Sequence, residues 1–170
     1  MDVEGVEEFI AGMLYSLIGK DDLPDIKSCL KDAEDIEVQV MAALSDIAKL
    51  DLNDIIKGVE ELGQVIKELP KDLKGCESMA GDLAKIEAWA KIFEHPVALV
   101  ATLTKNTIKH WGNITMEVNQ TEVDFKAKQY YECGEDVGEI VVLTVGPMSQ
   151  PASVEEDMDW TLFENNLALF

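Results

Sequence analysis

The sequence predicts an all-α protein, a bundle of about five to six helices followed by an acidic, aromatic C-terminal extension. Three observations carry this. Apolar residues recur at the 3-4 spacing of one helix face along most of the chain, and no stretch of its body keeps the alternation of a half-buried strand. Leu-Pro steps at Leu23-Pro24 and Leu69-Pro70 each precede a short helical turn that ends in a cysteine, Cys29 or Cys76. Beyond Gly146 the composition changes to a linker and then to carboxylates and aromatic rings.

Residues 3, 6, 9, 10, 13, 14, 17 and 18 are apolar and mark a first helix that stops near Gly19, a residue suited to a C-cap. Pro24 starts a second, because proline fixes φ and lacks an N–H that a first turn would leave unpaired. Its apolar positions run from Ile26 to Ala48. Asp51 or Asn53 caps a third helix, from Ile55 to Leu69. A short turn after Pro70 leads through Cys76 into a fourth, which carries Met79, Leu83, Ile86, Trp89 and Phe93. His95-Pro96 ends it, since the residue before proline avoids the α region. One pattern then continues from Val97 to Val118, and a last helix is expected from about Lys126 to Val145. Gly58 and Gly63 stand in their helix much as Gly134 and Gly138 stand in theirs, which suggests two related hairpins with close helix approach.

Length and charge bound the function. A chain of 170 residues is one domain by the usual prior and buries roughly two thirds of its unfolded surface. Hydrophobic residues are 47% of it, which excludes general disorder. All 14 cations are lysines, and 34 Asp and Glu give a net charge of −20. Nucleic acid and anionic membrane surfaces would repel such a chain. No run of about 20 apolar residues is present to cross a membrane. The apolar stretch from Val3 to Ile18 contains Glu4, Glu7 and Glu8 and lacks a basic start, so it is not a signal peptide. A secreted protein would here be in its mature form, with its leader removed.

Cys29 and Cys76, placed alike on two similar turns, are natural partners for one staple between helices, which would imply an oxidising compartment. The competing reading makes them two small buried hydrophobes in a reduced protein. Cys133 is left over, either as a core thiol or as a link between molecules. Asn113-Ile114-Thr115 and Asn119-Gln120-Thr121 are N-glycosylation triplets, which favour secretion if both asparagines face solvent.

No metal site is expected. His95 and His110 lack metal-ligand spacing, and the acidic turns at Asp21, Asp22 and Asp25 and at Asp51, Asn53 and Asp54 lack the twelve-residue calcium loop. Loose calcium association with the acidic surface remains an expectation. No nucleophile elbow, phosphate loop or dinucleotide fingerprint occurs, so the chain reads as a non-enzyme without a cofactor.

Residues 1–147 read as the helical domain and residues 148–170 as a linker and docking tail. From Gln129 onward there are nine acidic residues and no lysine. Trp160, Phe163, Leu167 and Phe170 share a helical face, while Met158, Trp160 and Leu162 equally form a strand-like alternation. With Met158 they make a partner-docking set able to enter an apolar groove or to fold back on the chain's own helices.

Residues 22–34 and 67–76, together with Trp89-Ala90-Lys91-Ile92-Phe93-Glu94-His95-Pro96, resemble a family of small secreted helical proteins that ciliates such as tetrahymenas and paramecia carry in many copies. The resemblance covers about residues 8–147 and brings no function with it. It implies a Cys29–Cys76 disulfide, and hence a disulfide-stapled bundle; the tail lies beyond it. The expected function is a non-enzymatic protein of the extracellular space or secretory lumen that assembles as a homo-oligomer or polymer, partly through its tail, into a fibre, sheath or matrix. The alternative is a monomeric carrier of an apolar small molecule or lipid, lined by Phe9, Met13, Trp89, Phe93 and Trp111.

Overall fold

A computed structural model describes residues 1–148, and those residues are all helical, with no strand among them. Eight α-helices follow one another: α1 (Val3–Ile18), α2 (Leu23–Cys29), α3 (Ala33–Ile47), α4 (Leu52–Asp72), α5 (Ala80–Trp89), α6 (Pro96–Lys109), α7 (Trp111–Lys126) and α8 (Tyr130–Val145). Short 3₁₀ turns at Glu77–Met79 and Ala90–Glu94 flank α5. One apolar core runs through all of it, from Val6 to Val145.

The expected five to six helices become eight because the apolar period crosses breaks without losing phase. The single helix expected from Pro24 divides at Leu30-Lys31-Asp32. There Asp32 takes a left-handed backbone at φ 59°, and the Lys31 N–H donates to the Asp72 carbonyl at 3.1 Å. The pattern from Val97 to Val118 divides at His110 into α6 and α7. The last helix starts at Tyr130, after Lys128 turns the chain at φ 60°. In the other direction, α4 runs through Pro70 and ends two residues later, at Asp72. Pro24 starts a helix and Pro70 sits in the last turn of one, so the two Leu-Pro steps match in sequence and differ in structure.

Caps follow the sequence more closely. Asp2 accepts from the Gly5 N–H at 2.8 Å to start α1, and Gly19 ends it at φ 73°. Asp51 caps α4 by accepting from the Asn53 N–H at 3.1 Å. Cys29 and Cys76 form a disulfide with Cα atoms 5.5 Å apart, tying the end of α2 to the segment after α4. Its partners are 47 residues apart in sequence, which on the chain-entropy model stabilises the fold by about 4 kcal/mol.

The closest helix pair joins the two ends of the described chain. Gly5 lies against Tyr130, Gly134 against Phe9 and Met13, and Gly138 against Met13 and Ser16, so α1 and α8 run parallel. A Cβ on Gly12 would collide with the Tyr131 carbonyl oxygen, and one on Gly134 with the Phe9 carbonyl oxygen. Backbone meets backbone here, and the Ser16 hydroxyl donates to the Glu135 carbonyl across the contact at 2.7 Å. The glycines of α4 also allow close approach, but to other partners: Gly58 meets Ala43 and Ile47 of α3, and Gly63 meets the Phe93 ring. The two glycine pairs therefore serve different contacts, not a duplicated hairpin.

Because a carbonyl oxygen cannot rotate away as a side chain can, Gly12→Ala or Gly134→Ala should cost about 3 kcal/mol, the upper end for overpacking, and lower Tm by roughly 10 °C. Gly81→Ala, at a helical position with nothing within 4 Å, should instead stabilise by about 0.5–1 kcal/mol. Thermal and urea unfolding of the three variants check both signs.

Candidate functional site

The outer face of α6 differs from the rest of the surface. Pro96 opens this helix after an extended His95, and Ala98, Leu99, Leu103 and Thr107 turn inward and are buried. The opposite side presents Val97 at 64%, Val100 at 44% and Ile108 at 62% exposure, with Trp111 just beyond at 37%. Positions 97, 100, 104, 108 and 111 lie on one stripe of a helix. Thr104, in its middle, turns its hydroxyl back to the Val100 carbonyl at 2.7 Å. From His95 to Met116 there is no acidic residue in 22 positions, and Lys105 and Lys109 lie to one side of the stripe. In a chain of net charge −20 this is a local island of apolar and positive surface. On the opposite, inward side of α6, the Asn106 amide donates to the Thr144 carbonyl near the end of α8 at 2.9 Å.

Carboxylates gather on the neighbouring α7–α8 contact. Asp136 is pushed up to about 8, first by burial and then by Asp124 and Glu117 beside it. Burial and then Glu139 raise Glu117. Gln120 Nε2 donates to Asp124 Oδ1 at 3.0 Å, the neutral partner in this acidic group. Cys133 lies below it with no exposure, donating weakly to the Thr121 carbonyl at 3.7 Å, and burial pushes its thiol up to about 12. It is a core thiol, and the reading of Cys133 as a link between molecules falls with its burial.

The acidic turns serve structure. Lys20 stands 3.4 Å from Asp22 and 3.1 Å from Asp82, bridging the α1–α2 loop to α5. Asp22 itself is wholly buried, and burial and Asp82 raise its pKa. Among the described residues, no group of three or more His, Cys, Asp or Glu is placed to hold a metal ion.

The remaining candidate residues are dispersed. Asn113 and Asn119 are both exposed on α7, about 120° apart around the helix at their six-residue offset. Thr115 donates to the Gly112 carbonyl at 2.9 Å, while Thr121 is buried and donates to the Glu117 carbonyl at 2.7 Å. Phe9 and Met13 are fully buried under α8, and Trp89 and Phe93 meet edge to face at 5.7 Å. With Trp111 at the surface, these five do not gather around one cavity. An apolar cavity of about 180 Å³ does open between α3 and α7, lined by Met41, Leu44, Ile47, Val118 and Phe125 among others. The docking set Met158, Trp160, Phe163, Leu167 and Phe170 lies outside the described residues, as does all of 149–170.

The sequence profile of the SctB-like family, described as secreted protein B-like, matches residues 1–145. The chain belongs to that family. The match ends on the last residue of α8 and contains both bonded cysteines, so it covers the helical body. No curated protein and no solved structure matches the chain. Membership in a secreted-protein family agrees with the disulfide, and no helix among the described residues is long and apolar enough to cross a membrane.

The pH dependence follows from Asp136. Its folded pKa, about 8, stands above the ordinary 3.8, so the folded state holds its proton more tightly than the unfolded chain does. The stability linked to this proton is fully present below about pH 4 and is lost as pH rises through about 8. Glu8, Asp22, Glu61, Asp72, Glu117 and Glu135 shift in the same direction, each chiefly by burial. Urea unfolding should therefore show a more stable protein at pH 5 than at pH 8. Asp136→Asn should flatten much of that slope and stabilise the protein most at the alkaline end.

Proposed function

We propose that this protein is a non-enzymatic, secreted structural or interaction protein that self-associates, with the outer face of α6 as a contact surface. The carrying observation is the exposed stripe of Val97, Val100 and Ile108 on α6, a helix free of acidic residues, continued by Trp111 at the start of α7. Single exposed apolar side chains are ordinary, but a contiguous stripe with its own charge character marks an interaction site. The body behind it is suited to bear load, being closed by a disulfide and by backbone contact between α1 and α8. Carboxylates keep the free subunit soluble, and protons or loosely held calcium would reduce repulsion between copies. The exposed Asn113 and Asn119 leave room for glycans in this reading. The ciliate likeness of residues 8–147 fits a matrix or sheath component built from many related chains.

The alternative, a carrier of an apolar ligand, has the α3–α7 cavity in its favour. At about 180 Å³ that space is below the roughly 300–1,000 Å³ of most ligand pockets, so a lipid is a poor fit.

Static light scattering over a hundredfold range of concentration tests the proposal. Mass should rise with concentration, more at pH 5 than at pH 8, and should fall to that of the monomer for Val97→Glu/Ile108→Glu. A monomer throughout, at both pH values, would contradict self-association.

A further inference from the structure

The α6 face has an occupant whose chemistry complements it, and the chain itself carries that occupant. We propose that the outer face of α6 is the seat of this chain's own residues 154–170, a contact that copies exchange when they assemble; the exchange, though not the seat, rests on the self-association proposed above.

Three features fit the two surfaces together. The first is charge. Residues 149–170 contain Glu155, Glu156, Asp157, Asp159 and Glu164 and no lysine, while α6 has Lys105 and Lys109 and no carboxylate. Every other helix of the described chain carries at least one acidic residue, so the tail would meet repulsion nearly everywhere else.

The second is apolar pattern and length. Trp160, Phe163, Leu167 and Phe170 are spaced as one helix face. The eleven residues from Trp160 to Phe170, ten helical steps, would span about 15 Å as a helix, and the stripe from Val97 to Ile108 spans about 16 Å. Trp160, Phe163 and Phe170 are aromatic anchors of the kind that dominate such contacts.

The third is where the chain leaves the body. Thr144, one residue before the end of α8, is hydrogen-bonded to Asn106 on the inner side of α6, so the segment that follows begins against this helix and has only to pass around it to reach the stripe. Eleven residues, the number in 149–159, would reach about 18 Å as an unstructured chain, which covers the roughly 16 Å of the stripe. A linker of that size holds a tethered segment at an effective concentration on the order of millimolar, enough for a weak contact to form within one molecule. The same contact made by a second copy's tail would be a domain exchange, the low-cost route to oligomers.

The test uses the full chain, as an equal mixture of unlabelled and ¹⁵N-labelled protein. Carbodiimide couples a lysine to a carboxylate in direct contact with it, and peptide mapping then finds the joined residues. The expected product joins Lys105 or Lys109 to Glu155–Asp159 or to Glu164, and its yield falls at least tenfold in Val97→Glu/Ile108→Glu. These substitutions lie on the exposed stripe, and unchanged helical circular dichroism checks that the variant is folded. Links from the tail to other lysines in equal yield, or a yield that the variant leaves unaltered, would overturn the seat. Products with both labels at high concentration would support seat and exchange together. Same-label products at every concentration would support the seat within one molecule and remove exchange as the basis of assembly. Rising mass without any tail cross-link would overturn the seat and leave self-association standing on another surface.

Discussion

Everything else in this fold is arranged around the parallel contact of α1 with α8. Two helices from opposite ends of the described chain can approach this closely only where both lack side chains, and Gly12, Gly134 and Gly138 supply that absence. The contact gains close packing of Phe9, Ile10, Met13 and Leu14, all fully buried, at the entropic cost that glycine brings to a helix. Since α1 and α8 are far apart in sequence, their pairing also fixes the path of the helices between them. The α3–α4 hairpin and the α7–α8 hairpin pack as local units, and the disulfide then holds α2 to the end of α4.

This constraint shapes the surface. With α8 packed on α1, α7 and α6 and its end bonded to Asn106, α6 turns one side to the core and leaves the other as the stripe of Val97, Val100 and Ile108. The acidic surplus is distributed unevenly as a result. Carboxylates crowd the α7–α8 contact around Asp136, whereas α6 has none. A protein with these two features should be looser at alkaline pH and more willing to associate as carboxylates take up protons. Both tendencies have the same cause, the cost of holding anions close together or away from water.

The helical class was legible because its signal, apolar spacing, depends only on which side of each helix meets the core. The caps at Asp2, Gly19 and Asp51 are local too; Gly19 and Asp51 could be read from single residues. The breaks at Asp32 and His110 were not legible, because the apolar phase runs through them and their cause is tertiary. Lys31 leaves the helix to bond the Asp72 carbonyl, a partner 41 residues away. Pro70 misled for a related reason: it does remove the bond its N–H would make to the Ile66 carbonyl, but the buried Leu62, Val65, Ile66 and Leu69 hold the helix in the core past that loss. The glycines of α8 were rightly read as points of close approach, but their partner on α1 could not be read from a match with α4. The α6 face was present in the sequence as a 22-residue run without an acidic residue, yet only burial shows that its valines and Ile108 point outward. The tail's aromatic pattern was visible from the start, in the spacing of Trp160, Phe163, Leu167 and Phe170.

Native-state hydrogen exchange measures the central claim most directly. If the α1–α8 contact organises the fold, the amides of Phe9–Leu14 and Gly134–Val141 should be the slowest to exchange and should open only with global unfolding. Exchange of α1 or α8 through a smaller opening, while α3 and α4 stay protected, would contradict it.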